Sequence, residues 1–255
     1  MNERKLSVYV LTYNEEAKIR ECLESAKWAD EIVVLDSFST DKTVAICKEY
    51  TDKVFQSKFE GFGHLRNTAL KHVSNDWVLS VDADERVTEE LKQEVLALLR
   101  KGPDADAYYV PRKTHFMGKW IRHCGWYPDY RQPQFFNKNK MRYTQQLVHE
   151  TYELDGKVSY LRGHALQFPF LSLGQFLNKM DRYSTLRAEE MAAKGKRFSL
   201  SQLFIHPAAM FFRMYVQKLG ILDGSHGLIL SLLYGYYTLV KYVKLWEKQR
   251  TRATA

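Results

Sequence analysis

Trp77-Val78-Leu79-Ser80-Val81-Asp82-Ala83-Asp84-Glu85 sets a short, strand-like apolar run directly against a group of carboxylates. The same construction occurs twice upstream. Leu6–Leu11 runs into Thr12-Tyr13-Asn14-Glu15, and Glu31–Leu35 runs into Asp36-Ser37-Phe38-Ser39-Thr40-Asp41, while Lys53–Gln56 is a further candidate strand. Between the strands, amphipathic stretches predict helices over Glu15–Trp28, Lys42–Tyr50, Gly63–Val73 and Thr88–Arg100, the last stopped by Lys101-Gly102-Pro103. Strands alternating with helices predict an α/β fold, a Rossmann-like, mostly parallel sheet with helices on both faces. Ligands of such open sheets bind beyond the carboxyl ends of the strands, so the three polar segments are expected to meet on one rim.

Each polar segment has two readings. Thr12 or Asn14, and Thr40 or Asp41, are residue types that cap the helix that follows, or they bind a ligand. Asp36 is harder to assign to capping, because it sits immediately past Ile32-Val33-Val34-Leu35 at the ligand-binding edge. Asp82-Ala83-Asp84 carries the sharpest chemistry. In an extended segment residues i and i+2 point the same way, so both carboxylates can address one hard cation such as Mg2+ or Mn2+, which also bridges to a diphosphate. Gly61-Phe62-Gly63 lacks the third glycine of a dinucleotide loop, and instead shapes the entry to a helix carrying Arg66 and Asn67. Those two either meet a nucleotide there or are ordinary solvated helix residues.

The composition bounds the rest. With 255 residues and 45% hydrophobic content, the chain fills a core of one substantial domain plus an appendage. Cys22, Cys47 and Cys124 are far apart and form no Cys-x-x-Cys pair, which argues against a disulfide framework or a thiolate zinc site. Met-Asn-Glu-Arg-Lys leads straight into a strand without a signal-like apolar run, so the catalytic part is expected in the cytoplasm. The net charge of +8 is concentrated at one end. Residues 196–255 hold nine Lys or Arg against Asp223 and Glu247, a net of +7.

Val10-Leu11-Thr12-Tyr13-Asn14-Glu15-Glu16, Asp36-Ser37-Phe38-Ser39-Thr40-Asp41-Lys42-Thr43, Gly61-Phe62-Gly63-His64-Leu65-Arg66-Asn67 and Val81-Asp82-Ala83-Asp84-Glu85 together resemble family 2 glycosyltransferases. Within that family the likeness is to bacterial lipooligosaccharide and lipopolysaccharide core β-1,4-glucosyltransferases. The resemblance implies a GT-A fold and an inverting transfer from a UDP-sugar assisted by Mn2+ or Mg2+. It divides the chain into a catalytic domain over 1–170, with a nucleotide-sugar half (1–105) and an acceptor half (106–170), and a helical region over 171–255. It also implies roles. Thr12, Tyr13, Asn14 or Glu15, and Asp36 would hold the uridine, with Arg66 and Asn67 nearby at the base or phosphates. Asp82 and Ala83 would touch ribose or sugar, and Asp84, with Asp82, would hold the metal. The family's acidic pair for the general base is replaced by Val148-His149-Glu150. Glu150 is the first choice of base and Asp129 the second, and His149 either completes the metal shell or simply packs.

The tail reads as two helices, 203–219 and 228–246, separated by Gly220 to Gly227. Neither has the run of about 20 apolar residues that spanning needs. Aromatic and aliphatic bulk beside Lys and Arg suits an amphipathic helix lying on an anionic membrane surface, peripheral or monotopic, at the cytoplasmic face of the bacterial inner membrane. The competing reading packs these helices on protein or in a homo-oligomer. No nucleic-acid module is recognisable. The expected acceptor is a membrane glycolipid such as lipopolysaccharide core. A polyprenyl phosphate acceptor and a non-catalytic membrane scaffold are the alternatives.

Overall fold

The computed structural model describes residues 4–144 and 151–254, with side chains to Arg250. In chain order its strands and helices are β1 (Leu6–Thr12), α1 (Ile19–Ala26), β2 (Glu31–Asp36), α2 (Thr43–Cys47), β3 (Val54–Gln56), α3 (Phe62–His72), β4 (Trp77–Asp82), β5 (Glu85–Val87), α4 (Glu89–Lys101), β6 (Ala107–Tyr109), β7 (Arg112–Phe116), β8 (Lys119–Trp120), β9 (Phe135–Asn137), β10 (Met141–Tyr143), β11 (Tyr152–Leu154), β12 (Val158–Tyr160), β13 (Ala165–Phe170), α5 (Leu173–Ala193), α6 (Gln202–Phe212) and α7 (Ser225–Thr254). They form two compact units, Met1–Lys113 with Asp129–Gln167, and Thr114–Pro128 with Phe168–Ala255. Thr114–Pro128 thus groups with the C-terminal helices, whereas the sequence division at 170 put it with the catalytic part.

The first unit is built on a seven-stranded sheet in the order β12-β6-β9-β4-β1-β2-β3. β3, β2, β1 and β4 run parallel, and β9 enters antiparallel beside β4. All of β1 is buried, as are β2 and β4 save one terminal residue each, the pattern of parallel strands covered on both faces. Side chains alternate between two cores. Leu6, Val8 and Val10 pack with Ile19, Leu23 and Leu91 on one face, while Tyr9 and Leu11 pack with Leu65 and Ala69 on the other.

Helix starts shift for local reasons. Glu15 O accepts from Lys18 N and Ile19 N, both at 2.9 Å, and this turn delays α1 to Ile19. Thr88 does not join α4 but caps it, its hydroxyl accepting from Leu91 N at 3.2 Å. Gly63 is required by packing. A Cβ there would lie 2.0 Å from Thr144 O.

Glu31 staples the amino ends of the parallel strands. Its carboxylate accepts from the Ser7 hydroxyl, from the Lys53 ammonium, and from Ser74 N and Oγ at 2.7 Å each. Burial alone would raise its pKa, but these donors, Lys53 first, overcome that and hold it at about 2. A carboxyl lowered on folding stabilises fully above its unfolded value and loses the effect as pH falls toward the folded one. Glu31→Gln is therefore expected to cost about 2–3 kcal/mol at pH 7. Urea unfolding at several pH values should show the deficit shrinking below about pH 4.5 and closing near pH 2.

In the second unit Phe116, Ile121, Phe170, Phe176, Met214 and Leu230 form the main cluster. α6 continues through a wide helical turn, Arg213–Gln217, and a tight one, Gly220–Asp223, into α7. The glycine-bounded gap expected at 220–227 is therefore mostly helical. Among the described residues, no helix is long and apolar enough to cross a membrane.

Candidate active site at the carboxyl ends of the sheet

Strand order 3-2-1-4 reverses direction between β1 and β4, which is where an open α/β sheet leaves a crevice for a ligand. The three polar segments lie at the carboxyl ends of β2, β1 and β4. Thr12 is paired in register with Asp36, and Leu11 with Asp82.

Asp36 is fully buried. Its carboxylate accepts from Ser39 N at 2.9 Å, from the Ser39 hydroxyl and from Gln56 Nε2 at 3.0 Å. Thr12 is buried, and among the described residues its hydroxyl has no hydrogen-bond partner. It does not cap α1. Asn14, at φ 52°, does not cap it either, since its Oδ1 accepts from Thr40 N at 2.8 Å and ties the two loops together. Asp41 sits one residue before the N-cap of α2, Lys42, and its carboxylate accepts from the first helical N-H, Thr43 N, at 2.9 Å. Tyr13 is exposed, and Glu15 pairs with Lys18 at 2.8 Å.

Arg66 is not a solvated helix residue. The turn at Gly61 (φ 114°) starts α3 so that Arg66 is buried, with Nη1 donating to Ser80 Oγ at 2.8 Å and Nη2 to Asp82 Oδ1 at 3.1 Å. Asn67 bonds backbone instead. Its Nδ2 donates to Tyr143 O at 2.7 Å and its Oδ1 accepts from Tyr143 N at 3.0 Å.

The extended Asp82-Ala83-Asp84 arrangement expected from sequence is not what forms. β4 ends at Asp82, and Ala83-Asp84 make a turn closed by Glu85, whose Oε2 accepts from Asp82 N at 3.0 Å. Glu85 is the residue that sequence reasoning missed. Fully enclosed, it accepts from Arg112 Nε at 2.5 Å and from Gln134 Nε2 at 2.8 Å. Burial pushes the Glu85 carboxyl up to about 7, Arg112 working against the rise and Asp82 and Asp84 adding to it. For Asp82, burial also works upward, but Arg66 and then Arg112 prevail and hold it below its ordinary value. No local signal in the sequence links Glu85 to Arg112 and Gln134, which are 27 and 49 residues away.

Asp82 and Asp84 supply hard oxygen donors. Asp84 is nearly enclosed, and its Oδ1 meets Gln167 Nε2 at 3.5 Å, the outer limit of a hydrogen bond. Among the described residues, no cluster of three or more His, Cys, Asp or Glu side chains is arranged to hold an ion. Such a donor set fits Mg2+ or Mn2+, which commonly take one or two carboxylates and complete their shells with water and substrate phosphate. Asp129 already faces two guanidinium groups, Arg131 at 2.9 Å and Arg112 at 3.7 Å. Glu150 and His149 lie outside the described residues.

Comparison with known proteins gives the family. The model of glycosyl transferase family 2 matches residues 7–162. The lipopolysaccharide core biosynthesis glycosyltransferase LpsC of Rhizobium meliloti (strain 1021) is 29% identical, over 97% of this chain and 94% of that protein. An uncharacterized glycosyltransferase of Rickettsia typhi (strain ATCC VR-144 / Wilmington) is 26% identical, over 96% of this chain and 87% of its own. The crystal structure of S. aureus TarS 1-349 in complex with UDP-GlcNAc has 17% identity and a TM-score of 0.49, covering 93% of this chain and 90% of that one. With its mostly parallel sheet flanked by helices in a GT-A-like α/β arrangement, the chain belongs to glycosyltransferase family 2.

Proposed function

We propose that this enzyme transfers a hexose, glucose in the first instance, from a UDP-sugar to a membrane glycolipid of the lipopolysaccharide-core type. The observation that carries the reading is the meeting of a buried carboxylate (Asp36), an unpartnered buried hydroxyl (Thr12) and the Asp82–Asp84 turn at the β1/β4 crevice. The Thr12 hydroxyl can donate to or accept from, and the Asp36 carboxylate can accept from, the polar edge of a uracil or ribose, which rewards a ligand with matching groups because an unmatched buried hydroxyl is costly. Asp84, with Asp82, would hold Mg2+ or Mn2+, which when bound neutralises charge on a departing diphosphate. Arg66 keeps Asp82 ionised and fixed in place. Glu150 is proposed to take the proton of the acceptor hydroxyl, ahead of Asp129, whose oxygens are engaged by arginines. The acceptor class rests on similarity to LpsC.

The test is transfer from labelled UDP-glucose, UDP-galactose and UDP-N-acetylglucosamine to purified lipopolysaccharide core and, separately, to polyprenyl phosphate. Label from UDP-glucose is expected on the core glycolipid. Product on polyprenyl phosphate alone would replace this acceptor, and no product from any pair would remove the reading.

A further inference from the structure

The α6–α7 hairpin displays apolar surface that the core of its own unit does not use. None of the eleven residues of α6 is buried, although Phe, Ile, Leu, Met and Ala dominate it. Helical spacing puts Phe204, Ile205, Ala208 and Phe212 on one broad face, with Phe204 at 75% exposure. At the turn of the hairpin Leu219, Ile221 and Leu222 also project, Leu222 at 64%. Contiguous exposed apolar surface of this kind marks an interaction site.

Charge selects the occupant. Between Glu190 and Glu247 the single acidic residue is Asp223, and it is buried, accepting from the backbone N-H groups of Arg122 at 3.2 Å and His123 at 2.9 Å. Three exposed basic side chains surround the same turn. Lys119 Nζ donates to Asp223 O at 2.8 Å, Arg122 lies 4.4 Å over the Trp120 ring, and the Lys218 stem passes over Gly125. A second copy docked through this end would bring like charges together. A bilayer with anionic headgroups instead offers each cation a counter-charge, while its acyl boundary takes the apolar side chains.

We infer that this face of the hairpin docks in plane on an anionic bilayer, led by the Leu219–Leu222 turn. It lies in the interface and does not span. The inference is independent of which sugar or acceptor the enzyme uses.

Flotation of the full chain with phosphatidylcholine vesicles, and with vesicles that also contain phosphatidylglycerol, tests it without donor or acceptor. Binding is expected at least about tenfold tighter with phosphatidylglycerol, and weakened by salt. Ile221→Ser with Leu222→Ser should lower binding to both vesicles about tenfold. Arg122→Glu with Lys218→Glu should remove the preference for phosphatidylglycerol. Both variants should keep the wild-type melting temperature and donor turnover. The inference is overturned if wild type floats with neither vesicle, if the variants float like wild type, or if wild type is a dimer in solution that the serine pair dissociates.

Discussion

Asp84→Asn is expected to slow sugar transfer about a thousandfold. The replacement keeps side-chain size at a nearly enclosed position and removes one charge, so the fold should stand while the cation site proposed there fails. Electrostatic relief of a leaving diphosphate by a divalent ion is worth several kcal/mol, and each 1.36 kcal/mol is about a factor of ten in rate. Two readouts check this. Turnover at saturating Mn2+ should fall by that factor, and the rise in melting temperature expected of wild type with Mn2+ should be absent from the variant. Turnover within about threefold of wild type would count against Asp84 as a metal ligand, and no turnover in either protein would favour a scaffold without catalysis.

Arg112→Met should destabilise the first unit by about 3–5 kcal/mol, because it strands the Glu85 carboxylate in a site with almost no water access. Glu85→Gln together with Arg112→Met should recover more than half of that loss, since neither partner is then a buried charge. The deficit should also depend on pH. A carboxyl raised on folding to about 7 binds its proton more tightly in the folded state, so its contribution to stability declines as pH rises from about 4.5 through about 7. At pH 5 Glu85 is largely protonated and needs its partner less. Urea unfolding of Arg112→Met should therefore show a smaller deficit at pH 5 than at pH 8. A pH-independent loss, or one below about 1 kcal/mol, would mean that Arg112 holds the turn by packing alone.

Local pattern carries far in this chain. The four parallel strands are legible to within a residue, and for β1, β2 and β4 the reason is that a strand buried on both faces must be apolar throughout and must stop where polar groups meet solvent or ligand. Arg66 and Asn67 were legible as residues delivered by the glycine-bounded start of α3, yet their partners were not, since Asp82 and Tyr143 come from other parts of the chain. The same is true of Glu85. It reads as one more acidic residue after β4, and its partners come from β7 and from the segment before β9. Asp82-Ala83-Asp84 departs from the extended geometry for the same reason, because Glu85, three residues on from Asp82, closes a turn on the Asp82 N-H. In the tail, composition announced apolar helices but could not say which sides the neighbouring helices would cover.

Asn67 has a mechanical implication. By bonding both backbone groups of Tyr143, it couples α3 to the strand that leads into residues 145–150. Arg66, the preceding residue on that helix, grips Asp82 at the crevice. Because the two residues are consecutive on one helix, a substitution that shifts Arg66 at the crevice is expected to be felt at Tyr143 and β10 as well as at Asp82.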